Sequence, residues 1–179
     1  MNSSCQNKRI LSIKEIVIFS MLGALMFVSK IILEVLPNIH LLGMFTMLYT
    51  IVYRGKALIP IYLFVFIQGV WSGFALWWIP YLYLWLVLWG ITMLLPKNLP
   101  TRYGAILYPI INALFGLLYG TLYAPSQALL FGLDFKGMLL WILQGLPWDV
   151  THAIGNLIAG LLIVPLSKIL LKIKQFPTK

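Results

Sequence analysis

The chain has 179 residues, of which 61% are apolar and only 9% charged, with a mean hydropathy of +0.96. A soluble domain carries roughly 45–50% apolar and about 25% charged residues; the shortage of charge excludes a soluble globular enzyme, and disorder is excluded because it needs low hydrophobicity. The 13 basic and 4 acidic residues give a formal net charge of +9, and at roughly 20 apolar residues per span the length holds about five to seven membrane helices and no separate soluble domain.

Residues 1–13 read as a polar, basic cytoplasmic tail containing the single cysteine, Cys5, which can form no internal disulfide. It is not a cleavable signal, because the apolar stretch behind it is too long and lacks a small-residue cleavage site. A first helix is predicted over 14–36, stopped by Pro37, with Lys30 and Glu34 four residues apart near its outer end. A short turn, Pro37-Asn38-Ile39-His40, leads to a second helix over 41–53, short for a span. Arg54-Gly55-Lys56 is a tight inner turn before a third helix over 57–71, and Ser72-Gly73 breaks the chain on the outer side.

The fourth predicted helix, over 76–95, holds Trp77, Trp78, Tyr81, Tyr83, Trp85 and Trp89. The fifth, over 103–123, carries Gly116-xxx-Gly120, a small-xxx-small seam for close helix contact. The stretch from Pro125 to Leu146 reads as a long outer loop with short helical pieces near 126–131 and 136–143, and long loops in compact proteins are usually lids or binding elements. Pro147, favoured at a first helical position, starts a sixth helix over 147–173, and 174–179 is a second cytoplasmic tail. The expected fold is therefore all-α, one six-helix membrane domain over 14–173 with both termini cytoplasmic.

Charge placement agrees with that topology. Eleven of the 13 basic residues fall on the cytoplasmic side of a six-helix arrangement, Lys30 and Lys136 being the exceptions, which is a positive-inside pattern. The excess sets orientation and implies no nucleic-acid partner.

Polar groups inside a membrane are costly and mark functional positions. Asp149, His152 and Asn156 are spaced by three and four, so they share one helical face beside Trp148. A simpler alternative has Asp149 capping the first turn of its helix and pairing with His152. Asn112, Tyr119 and Tyr123 on the fifth helix, Gln68 on the third, and Trp78, Tyr81 and Trp141 complete an outer-side cluster, some of it interfacial aromatic belt. There is no Walker A, HExxH, CxxC or GxSxG motif, and two histidines are too few for a metal site; the expectation is a binding protein, not an enzyme, with no cofactor.

Six short helices, an inner N-terminus and an outer loop before a polar sixth helix resemble the substrate-binding S component of energy-coupling factor (ECF) vitamin transporters. In that family the first helix docks through an Ala-xxx-Ala seam; the matching stretch here is Ser20-Met21-Leu22-Gly23-Ala24, with Ser20 in place of Ala and Gly23 smoothing the face. Thiamine-type members place an Asn four residues before a Gly on the sixth helix, matched by Asn156-xxx-Gly160. A glycine-rich pattern seen between helices two and three in many members is absent; Val52-Tyr53-Arg54-Gly55-Lys56-Ala57-Leu58-Ile59-Pro60 stands there.

The resemblance implies capture of a small water-soluble vitamin or precursor, heterocyclic and neutral or cationic, at the outer face of a bacterial cell membrane. It also implies docking through Ser20, Gly23 and Ala24 on a transmembrane coupling subunit with two cytoplasmic ATPases that drive uptake. The alternative is a structural scaffold similar to MreD of the cell-shape machinery, which would not need Asp149, His152 and Asn156 on one face. A lipid-modifying membrane enzyme is a third reading.

Overall fold

A computed structural model describes residues 11–97 and 99–175. Cys5, Lys8, Arg9 and Lys179, with most of both expected tails, lie outside the described residues. All regular structure among the described residues is helical: α1 (Ile13–Ile32), α2 (Leu42–Tyr53), α3 (Leu58–Ser72), α4 (Tyr81–Leu94), α5 (Thr101–Leu117), α6 (Tyr119–Phe131), α7 (Phe135–Gly160) and α8 (Ile163–Gln175), with short 3-10 turns at Leu33–Val35, Arg54–Ala57 and Leu76–Trp78.

Local chemistry sets the boundaries. Ser12 opens α1 with a capping box: its hydroxyl accepts from the Glu15 amide at 3.2 Å, and the Glu15 carboxylate accepts from the Ser12 amide at 2.9 Å, satisfying two otherwise orphaned donors. Glu15 also pairs with Lys56, which ties the start of α1 to the start of α3. At the other end of α1, Lys30 and Glu34 pair at 2.9 Å before Pro37. Asn38 then takes a left-handed φ of 57° that turns the chain into α2.

Apart from Ile51, every residue of α2 is buried. At 1.5 Å per residue α2 is about 18 Å long, well short of a hydrocarbon layer of about 30 Å. It is sheathed by α4, α5, α7 and α8. Its lower end is fastened by Arg54, which donates to the Met93 carbonyl at 2.6 Å, and by Lys174, which donates to the Val52 carbonyl at 2.7 Å and lies over the Tyr53 ring.

Four sequence-based expectations change in the second half. The helix predicted over 103–123 is two, because the chain leaves helical geometry at Leu118 (φ −93°, ψ 3°). The long loop from Pro125 to Leu146 is absent. Helix α6 runs through Pro125 to Phe131, Gly132 ends it in the left-handed conformation (φ 66°), and Asp134 caps α7 by accepting from the Gly137 amide at 2.7 Å. Only residues 132–134 connect the two.

Pro147 therefore sits inside α7, not at its start. It removes the backbone donor that would meet the Leu143 carbonyl, and one turn further on Thr151 donates its hydroxyl to the Pro147 carbonyl at 3.2 Å; proline is tolerated in helices of membrane proteins, where neighbouring helices and local adjustments satisfy freed groups. The last predicted helix is also interrupted, as α7 and α8 meet at a 51° bend. Pro165 explains it: its ring clashes with the carbonyl four residues back and offers it no N–H. The chain accordingly tightens at Leu161 and Leu162, whose amides bond three residues back to Ile158 and Ala159.

Four helical segments are long and apolar enough to cross a membrane (Ile13–Val35, Leu42–Ser72, Leu76–Leu94 and Thr101–Phe131), and a fifth if the bent pair α7–α8 counts as one. Large apolar side chains on the outside of the bundle, Ile16, Val17, Met21, Ile106, Leu129 and Ile158 among them, are exposed. The protein is thus all-helical and compatible with a multi-pass membrane protein.

Candidate functional site

The site grows from the contact between α5–α6 and α7, which run antiparallel. Pro109 lies against Gly160, Asn112 against Asn156, Gly116 against Ala153, Tyr119 against His152 and Gly120 against Asp149. Glycine makes the approach: a Cβ on Gly160 would stand 2.5 Å from Pro109 Cα, and one on Gly116 2.9 Å from the Ala153 nitrogen. The seam expected from Gly116-xxx-Gly120 faces α7 along its whole length.

Asp149 is buried, and both carboxylate oxygens accept from the Gly120 amide, at 3.0 and 3.1 Å. Gly120 is the second residue of α6, an amide with no intrahelical acceptor. Asp149 thus caps a neighbouring helix, not its own, in the middle of which it sits, and the break at Leu118 creates the donor it serves. Its oxygen is 4.0 Å from His152 Nδ1, beyond hydrogen-bond range. The simpler alternative, a cap on its own first turn paired with His152, is not formed.

His152 is buried between two rings, Tyr119 at 4.8 Å and His40 at 5.0 Å between centroids. Nδ1 of each imidazole is buried with no partner. Burial first, and the neighbouring His152 imidazole second, push the His40 pKa down from 6.5 to about 3, so His40 is uncharged at neutral pH. The unfolded chain takes up that proton near the ordinary value while the fold resists it, so stability is full above about pH 6.5 and declines as pH falls toward 3. We expect the unfolding temperature of His40→Gln in detergent to drop less between about pH 7 and about pH 4.5 than that of the wild type; equal drops would assign the titration to another group.

Two adjoining cavities open here, of about 350 Å³ and about 530 Å³. The first is lined by His40, Trp77 and Tyr81, with the Lys30–Glu34 pair at its edge. The second is lined by Gln127, Trp141, Trp148 and Asp149, and its wall includes the stacked rings of Tyr123 and Trp141, 5.9 Å apart and 16° from parallel. Asn38, Tyr119, Tyr123 and His152 line both, so they are lobes of one site. Trp85 is fully buried beneath, with its ring near those of His40, Tyr81 and Tyr119 and its indole N–H unpartnered.

Of the residues singled out from sequence, Asp149, His152, Trp148, Tyr119, Tyr123, Trp141 and Tyr81 therefore come together. Three do not join them. Asn156 lies one turn deeper, donating to the Asn112 carbonyl at 3.1 Å while Asn112 donates to the Asn156 carbonyl at 2.8 Å. This reciprocal clamp joins α5 to α7, and Asn156 lines neither lobe. Gln68 donates to Ser72 and Trp78 donates to the Val65 carbonyl; both serve the packing around α3. Asn156→Leu should accordingly cost about 1–3 kcal/mol, the range for stranding buried polar groups, in denaturant unfolding, while the folded fraction binds with unchanged affinity. A lost affinity at unchanged stability would return Asn156 to the site.

On α1, Ser20 and Ala24 are exposed but Gly23 is buried beneath Leu63 of α3, so Gly23 belongs to an internal seam and the outward face is carried by Ser20, Met21 and Ala24. Sequence reasoning passed over His40, Asn38 and Gly120 as site residues; the signal for His40 was a polar ring in the turn directly after Pro37. No group of three or more His, Cys, Asp or Glu side chains among the described residues could hold a metal. Comparison with protein-family models, curated proteins and solved structures returns no match.

Proposed function

We propose that this chain is a membrane-embedded capture subunit that holds a small nitrogen heterocycle, similar in role to the S component of an ECF-type vitamin transporter. The observation that carries the reading is the two-lobed cavity, where a carboxylate, two imidazoles with unpartnered Nδ1 atoms and a surround of aromatic rings converge at one end of the bundle. Buried polar atoms without partners are costly, and a ligand with matching donors and acceptors relieves that cost. Cavities of this size suit a vitamin-sized molecule.

The finer topology belongs to the same proposal. Glu15 with Lys56, Arg54 with Met93, and Lys174 with Val52 gather at one end; His40 with His152, and Tyr123 with Trp77 and Trp141, gather at the other. Six alternating passes satisfy both sets, with α5–α6 as one bent pass and α7–α8 as another. The basic residues then crowd the cytoplasmic face, and the cavity faces outward. The exposed Ser20–Ala24 face of α1 is the docking surface for a coupling subunit whose two ATPases supply the energy, since this sequence has no phosphate-binding loop.

The test is purification of the intact protein from its native membrane in mild detergent, with mass spectrometry of both small molecules and proteins that remain attached. A retained heterocycle together with a coupling subunit and two ATPases is expected. Recovery of cell-shape proteins and no small molecule would replace capture with the scaffold reading.

A further inference from the structure

The second lobe has an unbalanced charge. Among the described residues, no Lys or Arg lines it, and Asp149 is its one carboxylate. In the first lobe the Lys30 and Glu34 charges cancel at 2.9 Å. Asp149 is compensated only by the Gly120 amide and the start of α6, equivalent to about half a positive charge. The lobe therefore keeps a residual negative charge in a buried setting, where a charge without a partner is expensive.

The rest of its wall has the same preference. Tyr123, Trp141 and Trp148 line the same space as Asp149, the first two as stacked rings, and aromatic rings attract cations. Anions are disfavoured by both the carboxylate and the rings. In the first lobe, by contrast, His40 and His152 offer neutral hydrogen-bonding groups.

We propose that the site selects an organic cation, with the positive group seated against Asp149 and the rings of Trp141 and Tyr123 and an uncharged hydrogen-bonding part reaching the His40–His152 lobe. This rests on the capture reading and narrows its ligand from neutral or cationic to cationic. Size is accommodated, since the two lobes adjoin and share Asn38, Tyr119, Tyr123 and His152.

The experiment uses three probes that share one ring and differ in charge: 1-methylnicotinamide (cation), nicotinamide (neutral) and nicotinate (anion), titrated into the purified full chain by calorimetry and tryptophan fluorescence. The cation is expected to bind at least about tenfold more tightly than the neutral amide, a ratio within reach of a buried charge pair plus ring contacts, with nicotinate weakest. Asp149→Asn keeps an acceptor for the Gly120 amide but removes the charge, and should cut the ratio to about twofold or less. Trp141→Leu, which leaves the Gly120 contact alone, should lower the same ratio and decides the matter if Asp149→Asn does not fold. Equal binding of cation and neutral probe, tighter binding of nicotinate, a ratio unmoved in both variants, or no binding of any probe would overturn the cation assignment. Capture itself stands or falls separately, on the molecules that co-purify.

Discussion

Asp149→Ala is expected to lose both the ligand and about 1–3 kcal/mol of stability, the cost of stranding a buried donor. Two effects combine in this one side chain. The carboxylate faces the larger lobe, and the same oxygens accept from Gly120 at 3.0 and 3.1 Å, capping α6 from a neighbouring helix. Alanine leaves the Gly120 amide buried with no acceptor and deprives the start of α6 of its negative partner. Asparagine offers the amide an oxygen and should retain most of the stability. Denaturant unfolding of the wild type and both variants reads the structural share, and ligand retention reads the functional one. An alanine variant as stable as the asparagine variant would show that the Gly120 bond adds nothing to the fold.

Gly116→Val is expected to be still more damaging. A Cβ at this position would stand 2.8 Å from the Asn156 amide nitrogen and 2.9 Å from backbone atoms of Ala153 and His152. A flexible side chain can swing aside, but a helix backbone cannot, so α5 and α7 must separate. Overpacking alone costs about 1–3 kcal/mol, and separation also strains the Asn112–Asn156 clamp, whose buried groups are worth a similar amount when stranded. The shift reaches the site within one helical turn, since Tyr119–His152 and Gly120–Asp149 come next along the same contact. We expect loss of the monodisperse peak in size-exclusion chromatography, or at least tenfold weaker ligand binding if the protein survives. Gly90→Ala is the control: a Cβ there meets nothing within 4 Å, and alanine in a helix interior is neutral or favourable by up to about 1 kcal/mol. Equal behaviour of the two variants would mean that the α5–α7 contact is looser than described.

The features visible in the sequence were those written in local chemistry. Pro37 and the Arg54-Gly55-Lys56 turn bound helices because one lacks an N–H and the other concentrates charge and glycine. The i, i+3 spacing of Asp149 and His152 places them on one face wherever their helix begins. The start of α7 was misread because two local signals compete. Pro147 fits a first helical position, yet Asp134 thirteen residues earlier is a working cap, and a proline inside a long helix loses only one bond once its neighbours compensate. Asn156 falls outside both lobes for a different reason: its partner, Asn112, lies 44 residues away, and no spacing rule reports that two helices bring amides together. His40 was missed on the same ground, since its importance comes from His152 across the fold. The Ser20, Gly23 and Ala24 seam divided because consecutive small residues on a helix point different ways, and α3 claims Gly23.

The sheathing of α2 has a consequence for the proposed role. Between the two imidazoles and the lower end of the bundle lie Met44, Met47, Leu48, Phe64, Leu88 and Ile163, all buried and apolar, and α8 is tied over the bottom through Lys174 and Val52. Under the capture proposal the molecule is a cup and not a conduit: it is expected to pass no current in a planar bilayer, and release to the other side would need the whole cup to tip or its base to be pulled away; a steady single-channel current from the purified chain would overturn this. On that proposal the work of tipping falls to the coupling subunit and its ATPases.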